Sequence, residues 1–261
     1  MGRIETEGVR TWLVDLDGVV WLAGQPIAGA REAVAAVRES GRRTLFVTNN
    51  SGPTKSVLVS RWHDAGIDAG FHEIATVSDA AASLLRAGED VFIWGEEGLV
   101  EAVEAAGGRI VDTPAKAGTV VVGWSTSFDF DLLSRVSSAV RDGARFIGTN
   151  EDPTHPTPHG LQPGTGALLA AVATASHTKP IVAGKPHEAM VNLVHKMSTG
   201  DLEVVIGDRP STDGIFAARL GLPFALVSSD ATAKEGMIDE VSPLCHAPSL
   251  LEVVNILFSC L

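Results

Sequence analysis

Two carboxylates one residue apart, Asp15 and Asp17, stand directly after the apolar run Thr11-Trp12-Leu13-Val14 and just before Gly18. A Val/Leu/Trp-rich run of this kind reads as a buried strand, and the acids and glycine as the loop it opens onto. Two acids held so close at a strand's end are costly unless a cation or a shared proton relieves them. The pair suits magnesium-assisted phosphoryl transfer, with one carboxylate attacking and the other handling the proton. Three further strand-like runs end in reactive side chains. Leu45-Phe46-Val47 leads into Thr48-Asn49-Asn50-Ser51, and Pro180-Ile181-Val182 into Ala183-Gly184-Lys185-Pro186. Val204-Val205-Ile206-Gly207 leads into the acid-rich stretch Asp208-Arg209-Pro210-Ser211-Thr212-Asp213.

The elements that must carry these loops alternate between strand and helix along the chain, which predicts an α/β protein built on a mostly parallel sheet. Helices are expected over 30–40, stopping at Gly41, and over 53–65, 79–87, 96–106, 131–141 and 166–175. Strands are expected over 44–47, 91–94, 119–124 and 145–147. The segment 150–163, rich in Pro, Thr and His, is expected to be a loop. In an open parallel sheet the active site lies at the carboxyl ends of the strands, and all four reactive loops are expected there. Only one helix and one strand fit between Asp17 and Thr48, whereas the stretch from Thr48 to Lys185 can hold a whole inserted domain. The expected division is a Rossmann-like core of residues 1–77 and 179–261 with a smaller α/β cap of 78–178. Hinges are expected at Val77-Ser78 and Thr178-Lys179.

Composition narrows the function classes. At 261 residues, 45% apolar and 20% charged, the chain is an ordinary globular protein with room for one large or two modest domains. A net charge of −12 without any basic stripe argues against nucleic acid as a partner, yet leaves room for a small anionic substrate. Cys245 and Cys260 have neither metal nor disulfide spacing and are expected to be reduced thiols. The N-terminal Met1–Glu7 stretch has no apolar core, and no run of about 18 apolar residues occurs, so a soluble, cytoplasmic protein without membrane contact is expected. His63, His72, His159, His177, His187, His195 and His246 show no metal-ligand spacing.

At the four loops, over about Thr11 to Val227, the sequence resembles the haloacid dehalogenase superfamily of phosphohydrolases. It is most similar to the NagD-like branch of p-nitrophenyl, phosphoglycolate and pyridoxal phosphate phosphatases. The resemblance implies a Mg²⁺-dependent phosphatase that works through an aspartyl-phosphate on small phosphomonoesters. Phosphoglycolate, glycerol phosphate, sugar phosphates, nucleotides and pyridoxal phosphate are the classes implied. Asp15 would be the nucleophile and Asp17 the general acid/base, its backbone carbonyl touching the metal, while Gly18 turns the chain. Thr48 would donate its hydroxyl to a phosphoryl oxygen and Asn49 supply backbone or amide donors. Lys185 would hold phosphate and the Asp15 carboxylate together. Asp208 would complete the protein's metal contacts, with Asp213 orienting metal-bound water from outside. In the cap, Asn150, Asp152, His155 and Trp124 are candidates beside the substrate, and self-association through the cap is implied.

Plainer readings compete at several positions. Thr48 or Asp213 can serve as a helix cap, Trp124 as a core aromatic and His155 as a solvated loop residue. Trp12, Trp62 and Trp94 read as core, and Trp21 as a neighbour of the Asp15-Asp17 loop. The chain departs from the branch at Ser125-Thr126-Ser127, where relatives carry an acid and a base, and at Ser228-Ser229-Asp230 in place of a Thr-Gly ending. A phosphotransferase or mutase on the same core, and a phospho-acceptor sensing module without turnover, are the alternative functions.

Overall fold

The computed structural model describes residues 9–22, 24–157, 160–198, 200–228, 238 and 240–260. The Met1–Glu7 stretch, His159 and Ser229-Asp230 lie outside them. The described chain is α/β and divides into two compact units. One comprises the described residues of Met1–Thr48, Val59–Ala75 and Val194–Leu261, the other those of Asn49–Leu58 and Thr76–Leu193.

The first unit is built on a six-stranded, Rossmann-like sheet. Its order is Cys245–Ala247, Phe224–Val227, Asp201–Gly207, Arg10–Val14, Arg43–Thr48, Ile74–Thr76. From Cys245–Ala247 across to Arg43–Thr48 the neighbours run parallel, with Val14 level with Ile206 on one side and Phe46 on the other. A parallel sheet covered on both faces needs nearly continuous apolar strands. Trp12-Leu13-Val14, Leu45-Phe46-Val47 and Val204-Val205-Ile206 meet that need and are all buried. The expected helix at 30–40 forms as Ala30–Glu39, buries Ala33, Val34 and Val37, and packs against the C-terminal helix Leu250–Cys260. Trp62 fills the core between Phe46 and Trp21, with ring centroids 4.6 and 6.0 Å away.

The second unit is built on five parallel strands in the order Ile181–Val182, Arg145–Gly148, Thr119–Val122, Asp90–Trp94, Arg109–Ile110. The helices Phe130–Arg141 and Thr165–Ser176 close one apolar cluster around Trp94, Val120, Val122, Phe146 and Val172. Trp94, read as core, is buried and donates its indole N–H to the Ser127 carbonyl at 2.8 Å.

Four expectations need correction. The strand before Lys185, Ile181–Val182, joins the five-stranded sheet beside Arg145–Gly148. The four reactive loops therefore do not all end strands of one sheet. The loop expected over 150–163 contains an antiparallel ribbon, Thr154–Thr157 against Gly160–Pro163. Threonines favour that geometry, and an isolated ribbon has outward edges that tolerate Pro156 and Pro163. The helix expected over 79–87 is Val77–Ala82, because Thr76 caps it: the Thr76 hydroxyl accepts from the Asp79 N–H and donates to its carboxylate. Val77 and Ser78 start that helix and are buried. Finally, the strand Thr119–Val122 ends two residues before Trp124. Among the described residues no helix is long and apolar enough to cross a membrane.

Candidate active site

Strand order decides where the acids of the first unit meet. The chain starts at Arg10–Val14, moves outward through Arg43–Thr48 and Ile74–Thr76, then returns to place Asp201–Gly207 on the other flank of Arg10–Val14. Such a reversal opens a crevice at the carboxyl ends of the two central strands. Asp15 follows one of them and Asp208 the other, and the Asp15 N–H donates to the Ile206 carbonyl at 2.9 Å. After Asp208 the chain makes a π-helical turn, Pro210–Gly214, before the α-helix Ile215–Leu220. Turns of this kind are common at functional sites because they re-aim a side chain. Here the turn brings Asp213 back, with its carboxylate accepting the Arg209 N–H at 3.1 Å. The α-helix cap is Gly214, so the reading of Asp213 as a simple N-cap does not hold.

Asp15, Asp208 and Asp213 each offer a carboxylate oxygen within 4.8 Å of the others, and all three are buried, Asp213 to within 1%. Three carboxylates crowded in low dielectric repel strongly. An all-oxygen set of this kind suits a hard divalent cation such as magnesium, where sulfur or imidazole ligands would suit a softer metal. The grouping differs from the one read off the sequence, with Asp213 inside the set. The Asp17 carboxylate faces elsewhere. Its Oδ1 accepts the Trp21 indole N–H at 3.1 Å and its Oδ2 lies 3.4 Å from the Thr48 hydroxyl. Gly18, at φ 91°, supplies the left-handed residue that turns the chain after Asp17 and brings Trp21 alongside.

The remaining candidates lie in the second unit. Lys185 is buried, 4% exposed, and its peptide is paired to Asn49: the Lys185 N–H donates to Asn49 Oδ1 at 2.8 Å and Asn49 Nδ2 to the Lys185 carbonyl at 3.2 Å. Asn150 is buried and donates its amide to the Asn49 carbonyl at 2.7 Å, while its Oδ1 accepts the Asp152 N–H at 3.1 Å. Trp124 stacks on His155 with ring centroids 4.6 Å apart, and its N–H donates to the Ser51 hydroxyl at 3.0 Å. It is half-buried rather than a core aromatic. The sequence reading missed two pairs. Trp21 on Asp17 was recognised as a neighbour but not as a donor. His187 to Glu151, 2.9 Å, joins the segment after Lys185 to the segment after Asn150. Neither pair leaves a sequence signal beyond proximity to a reactive loop.

Comparison with known proteins decides the family. A model described as haloacid dehalogenase-like hydrolase matches residues 12–109, and a HAD-hydrolase-like model matches 182–253. The chain is also 31% identical to a 5'-nucleotidase of Bacillus subtilis, over 91% of this chain and 94% of that one. The chain belongs to the haloacid dehalogenase-like hydrolases. Within that family it is a phosphoric monoester hydrolase of the p-nitrophenyl phosphatase branch. A p-nitrophenyl phosphatase from Archaeoglobus fulgidus superimposes with a TM-score of 0.84 at 28% identity, covering 94% of this chain and 98% of that one. A glycerol phosphate phosphatase from Mycobacterium tuberculosis, solved with magnesium, gives 0.80 at 33% identity, covering 93% and 75%. The same enzyme is also solved with calcium, and the oxygen-only cluster of this haloacid dehalogenase-like chain fits either hard cation.

Proposed function

We propose that the protein is a magnesium-dependent phosphatase that hydrolyses a small phosphomonoester through an aspartyl-phosphate on Asp15. The observation that carries the reading is the buried trio Asp15, Asp208 and Asp213 at the strand-order reversal. A bound magnesium ion there would neutralise the crowded carboxylates and the phosphoryl oxygens. Asp15, Asp208, Asp213 and the backbone carbonyl of Asp17 would hold it.

Asp15 then attacks phosphorus in line, forming the acyl phosphate as the bond to the leaving oxygen breaks. Asp17 gives its proton to that oxygen, so the alcohol departs neutral. Asp17 is held for this exchange by the Trp21 indole N–H on Oδ1 and the Thr48 hydroxyl on Oδ2. Asp17, now a carboxylate, takes a proton from water, which attacks phosphorus and releases phosphate and Asp15. Thr48 and the backbone N–H of Asn49 bind phosphoryl oxygens, and Lys185 balances their charge. Support for Lys185 in that role is its peptide's pairing to Asn49, the residue next to Thr48 in the chain. Gly18, Asn150, Asp152, Trp124 and His155 border the substrate in this reading. Residues 1–77 and 179–261 act as the catalytic core and 78–178 as a cap that selects the leaving group.

The relatives' activities make glycerol phosphate and nucleoside monophosphates the first substrates to try. Release of phosphate from p-nitrophenyl phosphate and a phosphomonoester panel, with magnesium and with chelator, tests the proposal. Metal-dependent turnover that vanishes in Asp15→Asn supports it. A folded, magnesium-binding protein without turnover on any ester sinks it.

A further inference from the structure

We infer that the side chain of Asn49 is a positioning device for Lys185 rather than a ligand for the substrate. The inference rests on the reading of Lys185 as the cation that balances phosphoryl charge. The amide of Asn49 meets both backbone polar groups of one residue, accepting from the Lys185 N–H at 2.8 Å and donating to its carbonyl at 3.2 Å. That is one rung of a β-ladder made by a side chain. It also fixes the orientation of the amide, since the oxygen must face the N–H and the nitrogen the carbonyl.

The surroundings are built for this approach. The Gly184 N–H donates to the Thr149 carbonyl at 2.7 Å, holding the residue before Lys185 in place. A Cβ at Gly184 would lie 2.5 Å from Asn49 Oδ1 and 2.7 Å from the Thr149 oxygen, so only glycine lets the three segments come together. The Asn49 carbonyl in turn accepts the Asn150 amide at 2.7 Å. Lys185 has a flexible four-carbon stem, and its usefulness depends on where its Cα is anchored. Asn49 thus anchors the backbone that carries the cation.

A double-mutant cycle tests the inference, because a residue acting through Lys185 loses its effect when Lys185 is gone. Turnover of p-nitrophenyl phosphate with magnesium is measured for wild type, Asn49→Ala, Lys185→Ala and the double variant. Asn49→Ala should lower kcat by between about tenfold and a hundredfold, the cost of a misplaced catalytic group. In the Lys185→Ala background the same change should cost less than about twofold if the pair acts as a unit. Equal factors in both backgrounds would overturn the inference while leaving Lys185 its role. Full activity in Lys185→Ala would instead overturn the reading of Lys185, and this inference with it. Where turnover of the double variant is too slow to follow, the Kd of inorganic phosphate measured by calorimetry in the four proteins serves the same cycle. Asn49→Asp, which keeps the acceptor for the Lys185 N–H and loses the donor, repeats the cycle if Asn49→Ala fails to fold. It should give the same non-additivity.

Discussion

The two ends of the strand Asp201–Gly207 hold buried carboxylates in opposite company. Near its start, Glu203 accepts hydrogen bonds from the Arg42 guanidinium at 2.8 Å and the Trp12 indole at 2.7 Å, and pairs with Arg10. Arg42 lies over both the Trp12 and Phe258 rings, 5.5 Å from each centroid. Burial alone would push the Glu203 carboxyl up, but the hydrogen bonds from Arg42, Trp12 and Arg10 outweigh it and hold the group below the usual carboxylate range. Just past the other end, Asp208 meets Asp15 and Asp213. One carboxylate is settled by cations the chain itself supplies, and the result is stability. The other three lie within 4.8 Å of one another at a crevice, an all-oxygen set that suits a hard cation from outside. The difference lies in what faces each acid: Arg42, Trp12 and Arg10 at one end, two further carboxylates at the other.

The largest effect that can break this comparison is at the crevice. Asp15→Asn should lower turnover at least about a thousandfold, the scale of losing a covalent nucleophile. A thermal scan in chelator should show that it still unfolds cooperatively. An Asp15→Asn protein that is inactive because it is unfolded would mean the crevice is a structural centre after all. Next, Asp208→Asn should weaken magnesium activation by about ten- to a hundredfold. Magnesium should raise the Tm of wild type and leave that of Asp208→Asn nearly unchanged, since only a ligand that binds the folded state stabilises it.

The Glu203 end should respond the other way round. Glu203→Gln should cost about 2 kcal/mol in urea unfolding, less than a fully buried pair because Arg10 is more than half exposed, with kcat unchanged. Its pH dependence follows from the depressed carboxyl. A folded-state value below the unfolded one means the stabilisation is present above the unfolded value, near neutral pH, and fades as pH falls through the folded value. The gap between wild type and Glu203→Gln should therefore shrink on acidification below about pH 4, where an unfolded glutamate begins to protonate. A gap that grows instead would reverse the assignment. The smallest expected effect is Arg42→Lys, which keeps the charge but loses the planar fork and the ring stacking, at about 1 kcal/mol.

Much of the fold was legible because its signals are local. The helix ending before Gly41, the strand Asp90–Trp94 and the helix Phe130–Arg141 each formed within a residue or two of the span their periodicity predicts. Asp15 and Asp208 follow, and Thr48 ends, strands of one sheet, as the apolar runs before them imply. Less legible were features made by partners distant in sequence. Nothing around Ile181-Val182 says that this strand pairs with Arg145–Gly148, and nothing in Asp208–Asp213 spells out a π-turn. Asn49 read as a source of backbone or amide donors, and nothing near it in sequence says that its amide pairs with a backbone 136 residues away.

By itself, then, the sequence determined which side chains end which strands, and with them the chemistry available: acids, a hydroxyl, an amide and a lysine after apolar runs. Those features depend on neighbours within a few residues, where alternation and capping operate. Tertiary structure alone decided that Asp201–Gly207 returns to flank Arg10–Val14 and that Asp213 joins Asp15 and Asp208. Strand order is set by how a two-faced apolar sheet can be covered along the whole chain, and no local run of residues carries that information.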